Sequence, residues 1–577
     1  MKYREALALI QSTQSVLGAI LLLDALHVYY HPTIHRATVA LQFHLKYDLT
    51  PILLPLIALA IIHIVKRRRR VKALIMILAT SATIYQLLGL KAAIAILALA
   101  TSILILSSER IAEEQLYYIF TILTIFEAIA LIHWALIAPI IGEATIKDLA
   151  NLEQALFYIV APISPLLVIA TLYFWAAKPI IKLYLTPALK PITTKITEKL
   201  GESEKLHINV KIALISSIAL SIISAIYPYT PKINPQRVPV GVDIRYYARW
   251  VHDLEQNIGS ALTIAGGSRP TILLLIFGFK LLSGLDAVEA VKLTPIILNP
   301  LLVLATYYMI MKTTGDQEWA ALSALITSVG LKVTVNMYSY FLANTLALIF
   351  QFTSIALLVV ALEKSDKISL MAAIGLTTAV IFTHPWSFTQ YYAAIALSLI
   401  IQVLNRIRNT SWNEKKVKML IVFLAATGAI DIVKELLIGV GGYKATQGTV
   451  VRQPILVNLL EFWSNNIFAF RLLYGGYLSN TILIALATLG TYALKRSGEF
   501  QEIITNLLIT TSLVYPLVCG SLQSRLVFNL PVEVLAAYGL LYIMRKPTLS
   551  SRLKKAIIAF TLASTVTYAL RSLANLV

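Results

Sequence analysis

The tightest restriction this sequence places on its own fold is where its backbone can find hydrogen-bond partners. Apolar runs of about twenty residues recur along the chain. Residues 341–362 (FLANTLALIFQFTSIALLVVAL) carry no charge at all. A run of this length spans the ~30 Å hydrocarbon core of a bilayer as a helix. In lipid only helices and closed barrels satisfy every backbone N–H and C=O. These runs are too long and too uniformly apolar for barrel strands, which alternate over about ten residues. Only 14% of the residues are charged, against about 25% in soluble domains, and the mean hydropathy is +0.76. The expected class is therefore all-α, a polytopic transmembrane helical bundle.

The net charge of +20 invites a nucleic-acid reading, but its distribution argues otherwise. Lys and Arg gather in short segments between apolar runs, as cytoplasmic loops do. The expected partner is the lipid bilayer, with no nucleic acid. Cys519 is the only cysteine, which excludes an intramolecular disulfide and a cysteine-based metal cluster. Met1-Lys2-Tyr3-Arg4 leads into an apolar run of spanning length without a small-residue cleavage site, so no cleavable signal peptide is expected.

Charge also orients the chain. Lys66-Arg67-Arg68-Arg69-Arg70 must be cytoplasmic, which puts the basic segment 178–207 inside and the polar loop after Tyr227 outside. The next apolar run, Thr271–Ser283, is only 13 residues long and contains Lys280. Runs of about 10–14 are more often interfacial than spanning. If it does not cross, fifteen Lys and Arg in the later loops fall inside; if it crosses, all fifteen fall outside. The expectation is a juxtamembrane helix on the outer surface and about 17 spans in total. The N-terminus is then cytoplasmic and the C-terminus outside. Residues 1–206 read as a bundle of about six helices of unknown role, and residues 207–577 as the core. Two long outer loops result, near 228–290 and 438–477. Spans in the core are expected near 208–227, 291–311, 319–335, 341–362, 369–383, 389–404, 419–437, 478–494, 504–520, 527–544 and 556–573.

The polar segments at the outer ends are the candidates for chemistry. Pro239 and Gly241 break structure, and Asp243 falls at a helix N-cap position. Tyr246, Trp250 and Leu254, together with Tyr247 and Val251, read as one apolar face. Arg245, Arg249 and Asp253 read as a charged face that can pair. Asp243 is either a plain cap or an acid presented beside aromatics at the bilayer edge, where it could act as general base or hold a metal. Arg269 follows a flexible Gly266-Gly267-Ser268, and either meets lipid headgroups or binds an anionic substrate group. His384 sits in Thr383-His384-Pro385-Trp386-Ser387 at the outer end of a span, a belt feature or a substrate contact. Arg525 precedes Pro531; a guanidinium there either snorkels or grips phosphate. In the 438–477 loop, Arg452 lies among Tyr and Trp residues suited to sugar stacking or to a membrane belt. Asp24, His27 and His31 have helical spacing that a metal could use. Gly-rich phosphate loops, HExxH and GxSxG are absent.

An early acid in a long outer loop, a surface helix, many spans and a late arginine before a prolyl span form a recognisable order. The residues are Gly241-Val242-Asp243-Ile244-Arg245-Tyr246-Tyr247, Ser268-Arg269-Pro270, the segment Tyr338–Thr345, His384-Pro385, and Arg525 with Pro531. Over residues 207–577 this resembles the GT-C superfamily of membrane glycosyltransferases. The resemblance implies a polyprenyl-phosphate-linked sugar donor, an acceptor that it does not identify, and chemistry on the outer face. It implies that Asp243 is the central acid and, more loosely, that Arg525 holds the donor phosphate; Arg269, His384, Tyr246, Tyr247 and Arg452 are the further substrate-binding candidates. No second acidic motif is evident; Asp253, Glu255, Asp286 and Glu289 are the nearby candidates. That leaves a divalent metal ion open.

Two other classes compete. A secondary transporter needs ionisable residues within spans and paired interrupted helices; Asp431, Lys434 and Glu435 are the main such group, near the end of a span, where they read as reaching the surface. A noncatalytic lipid-handling protein would leave Asp243 and Arg525 far apart.

Overall fold

The architecture comes from a computed structural model that describes residues 209–407, 413–438, 455–461, 482–494, 498–545 and 550–574, with a few single positions elsewhere. The expected N-terminal bundle and its Asp24/His27/His31 set lie outside the described residues, as does Arg452. The described residues are helical, with no strand among them.

Sixteen helices are used below. They are α1 (Val210–Ile226), α2 (Ile244–Gln256), α3 (Pro270–Ser283), α4 (Ala287–Thr314), α5 (Gln317–Val329), α6 (Leu331–Ser339), α7 (Leu342–Lys364), α8 (Lys367–Ile381), α9 (Pro385–Ile407), α10 (Glu414–Ile438), α11 (Ile455–Leu460), α12 (Ile482–Ala493), α13 (Glu499–Val514), α14 (Gly520–Asn529), α15 (Val532–Met544) and α16 (Ser551–Ala574). Short polar residues start several of them by accepting backbone N–H groups that have no partner inside the helix. Asp286 takes Glu289 N at 2.9 Å, Asp316 takes Trp319 N at 3.0 Å, and Asp366 takes Ile368 N at 3.0 Å. Gly284 and Gly315 close α3 and α4 in the left-handed conformation that favours glycine.

Six helices among the described residues are long and apolar enough to cross a membrane: 210–229, 287–314, 317–339, 342–364, 385–404 and 552–574; the bent pair α14–α15 makes a seventh if counted as one span. Each overlaps an expected span. The other expected spans of the core appear differently. Helix α8 has 15 residues, α12 has 12 and α13 has 16. Helix α10 has 25 residues but carries Asp431, Lys434 and Glu435 near its end. Two spans expected as continuous are interrupted. Gly330 separates α5 from α6 in an extended conformation, and Leu530-Pro531 bends α14 against α15 by 60°.

Helix packing is closest where glycines allow it. A Cβ on Gly490 of α12 would overlap Leu535 O, and one on Gly539 of α15 would overlap Leu486 O. Small residues on facing helices let backbones approach where lipid supplies no hydrophobic drive. One large apolar cluster joins α4, α5, α7, α9, α12, α13 and α15. A second joins α2 and α3 to α4 and the start of α7. That smaller cluster seats the site.

Helices α2 and α3 lie side by side and run the same way. Near their starts, Arg269 Nη1 donates to Tyr247 Oη at 3.2 Å; at their ends, Lys280 Nζ lies 2.7 Å from Glu255 Oε1. The buried face of α2 is Ile244, Tyr247, Ala248, Val251 and Leu254. This corrects the expected apolar face at one point: Tyr246 is 58% exposed, stacked on Trp250 at 6.0 Å between ring centres. The expected charged face also pairs differently. Glu255 takes His252 and Lys280, while Arg245 and Arg249 stay exposed.

Candidate functional site

The site begins with a chain reversal that only glycine permits. Gly241 has φ +111°, and a Cβ there would overlap the Tyr340 ring. Val242 N then donates to Tyr338 O at 2.9 Å, pinning the turn to the end of α6. Tyr340 is itself left-handed, at φ +55°, and its hydroxyl is 2.9 Å from Tyr229 Oη. Tyr229 Oη in turn accepts Val240 N at 3.3 Å. The segment entering α2 is thus held from both sides.

Asp243 follows at the N-cap position of α2, yet its side chain makes no cap hydrogen bond. Asp286, Asp316 and Asp366, at the same position of their helices, all cap. The plain-cap reading of Asp243 is therefore set aside by geometry. Its carboxyl is half-buried, and burial pushes its pKa up; Arg269 and Arg525 pull it back down through space. Neither guanidinium hydrogen-bonds to it among the described residues. A gap separates one acid from two bases.

Arg269 is fixed from behind. Arg269 donates to Tyr247 Oη and lies over the Tyr247 and Trp250 rings at 5.7 and 5.5 Å. Such cation–π contacts stabilise a partly desolvated guanidinium by about 0.5–2 kcal/mol. Tyr247 is fully buried, and its hydroxyl also accepts Ala343 N at 3.2 Å at the start of α7. Tyr247 therefore orients Arg269, whereas Tyr246 lies on the open side of α2. Arg525 projects from α14 and interacts through space with Arg269, Asp243 and Tyr247.

His384 stands behind these charges. It is buried, and its Nδ1 accepts Ser387 N at 3.3 Å, capping α9. Ser387 Oγ donates to Asn529 Oδ1 at 3.2 Å, and Asn344 Nδ2 donates to the same oxygen at 3.1 Å. Asn529 lies one turn beyond Arg525 on α14, so the His384 corner and Arg525 are mechanically joined. Burial, then Arg269, Arg525 and Lys434, push the imidazole pKa well down. It is neutral near pH 7, and with Nδ1 engaged by α9 its Nε2 carries the proton as a donor.

Lys434 is a cation that the sequence assigned to the surface. It is buried instead, donating from Nζ to Ile381 O at 2.9 Å and lying 5.7 Å from the Phe382 ring. Thr271 N and Oγ1 donate to Phe382 O at 3.1 and 2.9 Å. The turn before His384 is therefore tied to both α10 and α3. Arg269, Arg525 and Lys434 act through space on a neutral imidazole, and the two arginines act likewise on Asp243, an arrangement with excess positive charge. Such a site favours an anion and a hydroxyl whose proton the carboxylate can accept.

Three of the four candidate second acids are engaged elsewhere. Asp286 caps α4, Glu289 pairs with Lys292 at 2.6 Å, and Glu255 pairs with Lys280. Among the described residues no group of three His, Cys, Asp or Glu side chains is placed to hold a metal ion. The donor set around Asp243, two arginines and a neutral histidine, does not fit a divalent cation either.

No family model matches the chain, and none of the curated proteins compared with it matches.

Proposed function

We propose that this chain is an integral-membrane glycosyltransferase that moves a sugar from a polyprenyl-phosphate carrier to a hydroxyl acceptor. The observation that carries this reading is the uncapped Asp243 carboxyl facing Arg269 and Arg525 across a gap. An acid with a raised pKa is a stronger base than an exposed one. Two guanidiniums suit a departing phosphate.

In this mechanism the acceptor oxygen forms a bond to the anomeric carbon while the bond to the carrier phosphate breaks. The hydroxyl proton passes to Asp243. The bonding pair leaves with the phosphate oxygen, whose added negative charge Arg525 and Arg269 stabilise. His384, kept neutral by its neighbours, donates from Nε2 to an anionic or hydroxyl oxygen without adding a competing charge.

The charge distribution along the chain suits the same chemistry. Helix α2 bears Arg245, Arg249, His252, Asp253 and Glu255, a density that hydrocarbon does not accept. Helix α3 is bonded to α2 near both ends, which suits a pair that lies along the outer bilayer surface with the site at its start. A polyprenyl tail would stay in lipid while its phosphate reaches the arginines.

The test is direct. Purified protein in detergent or vesicles is given polyprenyl-monophosphate sugars with candidate acceptors, and release of polyprenyl phosphate is measured. Release by wild type and its loss in Asp243→Asn support the reading; equal release by both sinks it.

A second reading, secondary transport, draws on one observation. Lys332 and Glu533 meet where two interrupted helices cross, the arrangement that transporters use for coupling sites. Both Glu533 oxygens are nevertheless engaged by Lys332, which suits a structural clip better than an open ligand site. Flux into proteoliposomes that depends on Glu533 but not on Asp243 would favour transport.

A further inference from the structure

We propose that the buried Lys332–Glu533 pair is a positioning element that fixes the distance between Asp243 and Arg525. The inference concerns the geometry of the site and holds whatever substrate the site takes.

The pair sits at two chain breaks at once. Glu533, at the second position of α15, accepts Lys332 N at 3.0 Å through Oε1 and Lys332 Nζ at 2.6 Å through Oε2. Lys332 Nζ also donates to Leu530 O at 2.6 Å, the residue that ends α14. One ion pair therefore satisfies an orphan N–H where α6 starts and adds a second donor, beside Val532 N, to the C=O where α14 stops. Both side chains are buried, at 0% and 3% exposure, so no water substitutes for either. Gly330 makes room: a Cβ there would lie 2.8 Å from Glu533 Cγ.

The two half-helices held by this clip carry the two sides of the site. From Lys332, α6 runs about 12 Å to Tyr338 and Tyr340, which seat the Gly241–Asp243 turn. From Leu530, α14 runs back through Asn529, which holds the His384 corner, to Arg525. Asp243 is therefore referred to α6 and Arg525 to α14. Beside the neutral Asn344–Asn529 hydrogen bond from the start of α7, α6 is tied to α14 by the charged Lys332–Glu533–Leu530 junction. Releasing it lets the acid and the guanidinium move apart while both remain on intact helices.

The test reads that separation without a ligand. In a Cys519→Ser background, spin labels at Arg249→Cys on α2 and Ser521→Cys on α14 report the rim; both positions are exposed. Labels at Ile368→Cys and Leu553→Cys, also exposed, report the rest of the bundle. The expected result for Lys332→Gln with Glu533→Gln is loss of the single narrow rim distance, with the control distance unchanged. A rim distribution like that of wild type overturns the proposal. So does equal broadening at both pairs, because that is general loosening. Should the double variant fail to fold, Glu533→Asp keeps the charge but cannot reach both Lys332 nitrogens. It is expected to widen the rim distribution alone, and an unchanged rim overturns the proposal in that variant too. Failure of wild type to transfer sugar leaves these distances readable, so it bears on the transferase reading only.

Discussion

Two acid–base groups flank the half-helices α6 and α14 and behave in opposite ways. At the break, Lys332 and Glu533 touch at 2.6 Å, and each also bonds to backbone. At the rim, Asp243 meets Arg269 and Arg525 only through space, and its side chain leaves its own helix uncapped. Charge that is fully engaged holds structure. Charge that stays separated, and costs desolvation to keep so, remains free to take a ligand.

The contrast can be broken by substituting each group in turn. The largest effect is expected at Asp243. Removing a general base lowers turnover by about 10²–10⁴-fold, so Asp243→Asn should abolish measurable transfer while its thermal midpoint matches wild type. Glu533→Ala should do the reverse first. Leaving Lys332 buried without its partner costs about 3–5 kcal/mol, which a denaturation curve would read as a clear loss of stability. Arg525→Ala comes next: loss of one preorganised donor to a departing oxyanion costs about 10²–10³ in kcat. Arg525→Lys should recover only part of this, since a point charge replaces a fork.

Acidity sharpens the comparison further. The proposed transfer requires ionised Asp243, whose pKa burial raises above the ordinary carboxylate value. Activity should therefore fall as pH drops, with a midpoint above that of an exposed aspartate. In Arg525→Ala the midpoint should move higher still, because a group that lowers the pKa is gone. An acid limb at the ordinary value in both proteins would contradict the described burial. The smallest effect compares caps. Asp286→Ala should lose about 0.5–2 kcal/mol of stability, whereas Asp243→Ala should lose none through capping.

Much of this was legible before any coordinates. Apolar run length pointed to the helical class, and the short run with Lys280 is a separate helix, α3; its contact with α2 through Glu255 had no local signal. Asp243, Arg269, His384 and Arg525 stand out because charge is rare between such runs, and the fold brings all four together. Other features were hidden for physical reasons. Hydropathy averages over a window, so a single Gly330 or Leu530-Pro531 does not register as a break. Lys332 and Glu533 are 201 residues apart in sequence, and no local pattern links them. Lys434 near a helix end reads as solvated until the turn at Ile381 and Phe382 closes over it. The cap position of Asp243 was readable, but the absence of a cap bond was not: which way a carboxyl turns has no local sequence signature.

The central claim is that Asp243 and Arg525 act on one bound substrate as a unit. A double-variant cycle of Asp243→Asn and Arg525→Gln, read as turnover of a polyprenyl-phosphate sugar, tests it most directly. Groups acting together are strongly non-additive, so the double variant should be no slower than the slower single one. Losses that multiply independently, or a single variant with full turnover, would contradict it.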